Sequence, residues 1–507
     1  MQQYITGEAG VYSAKKEQHG QFEWNLPEYL PGISRIIRTD GLIEKCTFSS
    51  QDKNAFTDVS VKLCVVYVSD YEGKLKSAVF HEKIRVSFDE PFADAENAVV
   101  VPSCYINGIS SKISGARKIT AVISVTAAVN AVVQTKKELF CKNENENICT
   151  LVKKHSVCTK TTIPETYFES QQKAELGKDK EEIGEIIYST AWISETNAVV
   201  NGTSVDFECE INVFTLYENE TSDDGVSYST SSFPFTVKDS ISIPELSESH
   251  KAFICAEVCS VEPSVTFDSL GENKSVTFNI VYGVSGFLYC CEEKEIVEDA
   301  FLEKCECDVQ ISPVTFDSLM NYTSKICSVT ENMKYDMGDV REISESTANI
   351  LCVSYEYNEG KLYAAVKCRI GIFGANVSGE LVSADCPVTF HVPIDGFEEY
   401  KSDILPDILL YILSCRAYIK EGSLLCDAEI RINGAITHKK TCNTVEKITP
   451  KENECQKDDF EMIICFPSPD DTLWNIAKKH RTNPDIITKA NGLENGDISS
   501  KHALLIP

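Results

Sequence analysis

Three times along its 507 residues the chain repeats the same order of β-rich runs, at a spacing close to the length of a small domain. Val61 to Val68 reads VKLCVVYV, Lys83 to Phe88 reads KIRVSF, and Lys118 to Val133 reads KITAVISVTAAVNAVV. β-Branched content and alternation, interrupted by turn residues such as Asp70 and Gly73, mark these runs as strands. The pair Val66-Tyr67 answers to Val213-Phe214 and then to Ile372-Phe373, at separations of 147 and 159 residues. A second anchor, Ile33, answers to Ile183 and Val340 at 150 and 157. Each copy closes on another alternating strand: Ile119 to Val129, Val276 to Phe287 and Leu424 to Ile436. A period of about 150 is domain-sized, so the pattern predicts a mainly β chain of three tandem domains and excludes a solenoid of short units.

Ahead of the first strands, Leu26 to Ile37 reads LPEYLPGISRII. Pro31 can open a helix carrying Ile33, Ile36 and Ile37 on one face, so a short helix is expected there and again at EIGEII from Glu182 and GDVREI from Gly338. Composition sets the expected boundaries. A first β domain covers 1–140, a charged linker 141–181 with Lys142 to Asn147 at its head, and a second β domain 182–291. A connecting segment follows over 292–337, a third β domain over 338–440, a polar linker over 441–460 and a terminal unit over 461–507. The second copy carries an acidic, serine-rich insertion at Glu218 to Ser232, and the hexamer VTFDSL recurs at Val265 and Val314, off the domain period.

A net charge of −29, from 48 basic and 77 acidic residues, argues against nucleic acid and anionic membrane as direct partners. The N-terminal stretch lacks the apolar core of a secretory signal, and no apolar run approaches the ~20 residues that cross a bilayer, so a cytoplasmic chain that does not span a membrane is expected. The 22 cysteines are scattered through strand-like runs, which suits small buried side chains better than a disulfide framework. C-x-x-C does not occur; His155 with Cys158 and His438 with Cys442 are isolated mixed pairs, so no metal and no cofactor is expected. Phosphate-loop, H-E-x-x-H and G-x-S-x-G patterns are also missing, and no catalytic residue can be nominated.

The last forty-seven residues read as strand, helix, helix, strand. Met462 to Phe466 is a short apolar run broken by Pro467-Ser-Pro. Asp471 or Thr472 can cap a helix in which Leu473, Ile476, Ala477 and His480 recur at helical spacing; Asn483 with Pro484 opens a second helix, which Asn491-Gly492 stops. DDTLWNIAKKH from Asp470, NPDIITKANG from Asn483 and the terminal LLIP resemble a LysM domain. Asp470 stands where that family usually has glycine, and so does Lys501. The resemblance implies binding of N-acetylglucosamine-containing glycan in a shallow groove between the first strand–helix turn and the second helix–strand loop. The implied site residues are Asp470, Asp471, Thr472, Leu473, Trp474, Ile486, Ile487 and Asn491. A compact knob that docks on another protein is the competing reading of the same unit.

The body carries YVSDYEGKLKSAVF from Tyr67, YINGISSKISGARKITAVISV from Tyr105 and NEGKLYAAVKCRIGIF from Asn358, and it resembles tandem SPOCS domains. The expected fold is therefore mainly β: three SPOCS-like domains followed by a small βααβ LysM domain. SPOCS domains with a terminal LysM domain are similar to clostridial spore-coat morphogenetic proteins. That resemblance implies a non-enzymatic adaptor in the mother-cell cytoplasm, assembling at the forespore surface, whose partner is the coat basement protein, an ATPase. A peptidoglycan-binding protein of the wall or cortex is the alternative. In the adaptor reading Trp474 and Leu473 meet the partner; both also begin a helix whose apolar face needs them, so a place in the core competes.

Overall fold

A computed structural model of the chain describes residues 3–51, 53–89, 92, 98–140, 147–220, 226–244, 246–303, 305–333, 340–359, 361–394, 404–451, 462–494, 496–499 and 502–507. The stretch 142–146, residues 221–225 of the insertion, Gly338, 452–460 and Lys501, all singled out from the sequence, lie outside them.

Six strands make each copy. The first holds β1 (Gln3–Asn25), β2 (Ile33–Gln51), β3 (Asn54–Ser69), β4 (Leu75–Ser87), β5 (Ala98–Gly115) and β6 (Lys118–Leu139). The second holds β7 (Ile148–Glu175), β8 (Ile183–Asn201), β9 (Ser204–Asn219), β10 (Tyr228–Ser242), β11 (His250–Thr266) and β12 (Ser275–Leu302). The third holds β13 (Cys307–Met333), β14 (Val340–Asn358), β15 (Lys361–Asn376), β16 (Leu381–Ile394), β17 (Ile404–Lys420) and β18 (Ser423–Pro450). In every copy strands two, three and four form a meander, and strands one, six and five form a second antiparallel sheet. The second sheets of copies two and three join into one of order β11-β12-β7-β13-β18-β17, through the bridge between Asp317 and Cys158.

Alternation builds the cores. Val59, Val61, Leu63 and Val65 on β3 are fully buried in one cluster with Ile119, Ala121, Ile123 and Val125 on β6. Copy two repeats this with Val205 to Val213 on β9 and Val276 to Val284 on β12, and copy three with Ala364 to Ile372 on β15 and Leu424 to Ile432 on β18. Each fully buried Val, Leu, Ile or Phe among them contributes about 1.5–3 kcal/mol by leaving water.

Two sequence expectations need correction. The helical openings are strands: β2, β8 and β14 begin there. Their apolar residues have helix-like spacing because β-bulges interrupt the alternation, between Ile33 and Arg35, Ile36 and Arg38, and Ile43 and Lys45. A shift of 150 residues carries these three bulges to Ile183, Ile186 and Ile193, and a further shift of 157 carries them to Val340, Ile343 and Ile350. The 147-residue anchor is therefore misaligned by three, since Val66 corresponds to Leu216 and not to Val213. The expected linkers also contain strands: β7 fills most of 141–181, the end of β12 and all of β13 lie in 292–337, and β18 runs on to Pro450. They look like linkers because alternate residues, such as Glu169, Gln171, Lys173 and Glu175 of β7, face solvent. The recurring hexamer has two settings: Val265 and Thr266 end β11 with the rest in a turn, whereas Val314 to Leu319 lie within β13.

The three copies meet on equivalent surfaces. Residues 41–43, 191–193 and 348–350, related by the same shifts, line one cavity of about 370 Å³. Beside it lies a buried ionic centre. Asp40 accepts from the Tyr188 hydroxyl, from its neighbouring backbone N–H at Gly41 (2.9 Å) and from Arg369 Nη2 (3.3 Å). Arg38 Nη2 lies 3.4 Å from Asp40, and its Nη1 reaches Asp385 at 3.1 Å and Ser383 at 2.9 Å. Phe373 lies under the Arg38 guanidinium at 4.8 Å and packs with Phe214 and Tyr188. Burial raises the Asp40 carboxyl, but the Arg38 and Arg369 charges outweigh it and hold it at about 2.

Candidate functional site

The terminal unit is β19 (Ile463–Cys465), α1 (Leu473–His480), α2 (Pro484–Asn491) and β20 (Leu504–Ile506), with β19 antiparallel to β20. Its turns follow from local chemistry. Asp471 Oδ2 accepts from Ser468 N at 2.7 Å and closes the turn after Pro467, and Thr472 caps α1 by accepting from Asn475 N at 3.2 Å. Asn483 caps α2 through Asp485 N at 2.9 Å, with Pro484 at the first helical position. Gly492 ends α2 at φ +57°, where glycine avoids a Cβ penalty. Ile476, Ala477, Ile487, Leu493, Leu504 and Ile506 form the core.

That core continues into the second β domain. Cys149 of β7 and Phe301 of β12 belong to the same cluster, and the Trp474 ring lies 5.1 Å from that of Phe301. Trp474 Nε1 donates to Asp299 Oδ2 at 2.8 Å, and Lys478 Nζ reaches both Asp299 oxygens at 2.6 Å. Asn483 Nδ2 donates to Glu303 at 3.0 Å, and Arg481 pairs with Glu306. A face of α1 is thereby occupied by the chain itself.

The eight sequence-nominated residues divide accordingly. Trp474 serves the docking contact and is removed from the partner surface where the adaptor reading placed it. Ile487 is fully buried, which corrects its nomination to a groove. Asn491 is also structural: its Oδ1 accepts from Leu505 N and its Nδ2 donates to Leu505 O, both at 2.7 Å, pinning α2 to β20. Asp471 holds its turn, Leu473 is half-buried, and Ile486 is exposed on α2. Asp470 and Thr472 are exposed on the turn before α1.

What lies opposite that turn is the loop after α2. A Cβ on Gly496, at φ +74°, would sit 3.2 Å from Leu473 Cδ2, so the glycine lets this loop lie against the first residue of α1. Leu473, half-buried, packs against the LysM core beside this loop. Asp470 and Thr472 are exposed on the turn, and Glu494, Asp497 and Ser499 are exposed on the loop. Asp497 accepts from Ser499 N at 2.9 Å, and backbone hydrogen bonding holds its carboxyl below the usual range. The sequence reading placed one side of the groove at this helix–strand loop but nominated Ile486 to Asn491 for it, and not Glu494, Asp497 or Ser499. His480 is half-buried, and burial together with Lys479 lowers its affinity for a proton.

Elsewhere the two mixed His/Cys pairs are split. Cys158 forms a disulfide with Cys291, its register partner across β7 and β12. Among the described residues no helix is long and apolar enough to cross a membrane. No curated protein and no solved structure matches the chain. The family model described as LysM domain matches residues 468–507. The C-terminal βααβ unit is a LysM domain, closing a chain whose other domains are β.

Proposed function

We propose that this is a non-enzymatic tethering protein: three β domains joined at shared surfaces hold a LysM head whose rim, the turn before α1 and the loop after α2, takes N-acetylglucosamine-containing glycan. The observation that carries the reading is the LysM match over 468–507, together with the exposure of Asp470, Thr472, Glu494 and Asp497 on that rim. Sugar rings stack their apolar faces on apolar side chains such as Leu473 while neighbouring side chains and backbone groups take the hydroxyls. The absence of catalytic sequence patterns supports a binding role. Calorimetric titration of the full chain with chitin and peptidoglycan oligosaccharides tests it: saturable heat that Leu473→Asp abolishes in a folded protein is expected, and no heat with either glycan would remove the sugar reading.

A second reading is the spore-coat adaptor of the mother-cell cytoplasm, with a coat basement ATPase as partner. One observation favours a protein contact. Met462, Ile464 and Phe466 project from the outer face of β19 with 59%, 63% and 73% of their surface exposed, opposite the side that packs on the helices. Charged or polar substitution on that stripe separates the readings, since it should weaken a protein contact and leave glycan binding unchanged.

A further inference from the structure

We propose that His155, Glu298 and Cys442 form a binding site for a thiophilic divalent cation of the zinc class, clamping the second β domain to the third. The three side chains come from β7, β12 and β18, and their donor atoms all lie within 4.8 Å of one another. An imidazole, a carboxylate and a thiolate are the three protein ligand types that zinc accepts, and water supplies a fourth position.

The surroundings suit a metal centre. His155 is 7% exposed, and Ile5, Leu139, Val157, Ile296, Val314 and Phe316 share the buried cluster against which Cys442 packs. An apolar shell of this kind limits solvent access and lowers the local dielectric around the ligands. Glu298 Oε1 lies 3.0 Å from His155 Nε2, while Oε2 pairs with Lys153 Nζ at 2.6 Å. Lys153 can therefore orient the carboxylate from outside and leave Oε1 for the ion. Phe316 sets its ring at 69° to the imidazole, 5.7 Å away, fixing the ring plane. His155 Nδ1 is buried without a hydrogen-bond partner among the described residues, so protein groups leave this imidazole half satisfied.

On binding, the Cys442 S–H bond breaks, its proton goes to solvent, and the sulfur electron pair forms the bond to the cation. No oxidant or reductant is needed. The clamp lies near the Asp317–Cys158 bridge, where the sheets of the two domains join, and it adds a cross-link to that junction. Neither mixed pair in the sequence reveals it: His155 and Cys442 are 287 positions apart, and only the folding of β7 and β18 into one sheet brings them together.

Titration of the reduced full chain with Co²⁺, followed by Zn²⁺ displacement, tests the assignment. A saturable thiolate-to-cobalt charge-transfer band at one ion per chain is expected, with Zn²⁺ raising the unfolding temperature. Cys442→Ser should abolish the band, and His155→Gln or Glu298→Gln should weaken binding by about 10-fold or more. Melting each variant without metal identifies any that fails to fold, and the remaining ones decide. No band in the wild-type chain, or a band of equal size in folded Cys442→Ser, would overturn the site and leave the trio as a buried ion pair beside a thiol.

Discussion

The indole N–H of Trp474 donates to Oδ2 of Asp299 at 2.8 Å, and so the helix that begins the LysM core is fastened to the second β domain. The same carboxylate takes Lys478, and Phe301 lies against the Trp474 ring. A side chain that reads from sequence as a contact for some other molecule is used by the chain to hold its own head in place.

Removing that carboxylate should loosen the head without unfolding it. Asp299→Ala leaves Trp474 Nε1 and Lys478 without their shared acceptor, a loss of about 2 kcal/mol after allowing for the half-exposed lysine. Limited proteolysis should release a C-terminal fragment about 30-fold faster than from the wild type. Trp474→Phe, which keeps an aromatic contact to Phe301 and loses the donor, should fall between the two.

Asp40 makes the ionic centre sensitive to acid. Its folded value, about 2, lies below the ordinary 3.8, so its stabilisation is complete above the unfolded value and is lost as pH falls from about 3.8 towards about 2. The amount is about 2 kcal/mol. Asp40→Asn should abolish that part of the pH dependence and cost about 3–5 kcal/mol at neutral pH, because Arg38 and Arg369 lose their buried counter-charge. Urea unfolding across the acid range reads both.

Gly371 gives Arg38 its space. A Cβ there would sit 2.7 Å from both Arg38 Nη2 and Thr347 Oγ1. Gly371→Ala should destabilise by about 1–3 kcal/mol through displacement of the guanidinium, and thermal unfolding measures it. In the Asp40→Asn background the penalty should shrink, since the guanidinium is then already free to move.

Asn491 separates support from recognition. Asn491→Ala removes the paired hydrogen bonds to Leu505 and should lower the stability of the LysM domain by about 1–3 kcal/mol, while glycan affinity per folded molecule stays unchanged. Hydrogen exchange of β20 amides, set against calorimetric affinity, distinguishes the two effects.

Much of the architecture was legible from alternation. Val59 to Val65 and Ile119 to Val129 are strands in the sequence and central strands in the structure, because burial of every second residue leaves a period-two signature. Ile33, Ile36 and Ile37 mislead because two bulges within four residues reset that period and imitate helical spacing. β7 is hidden for a different reason, its exposed face being as polar as a linker. The terminal unit is legible down to its caps, as Thr472, Asn483 and Gly492 do what their chemistry suggests. Its surface is not. Whether Trp474 faces solvent or Asp299 depends on a contact between residues 175 positions apart, and no local pattern records that.

Hydrogen–deuterium exchange of the full chain, with and without a chitin oligosaccharide, is the most direct test of where ligand binds. Slowed exchange confined to 468–473 and 493–499, with β7 and β12 unchanged, is the expected result. Protection confined to the β domains, or no protection at the rim at saturating glycan, would contradict the assignment of the LysM rim as the recognition surface.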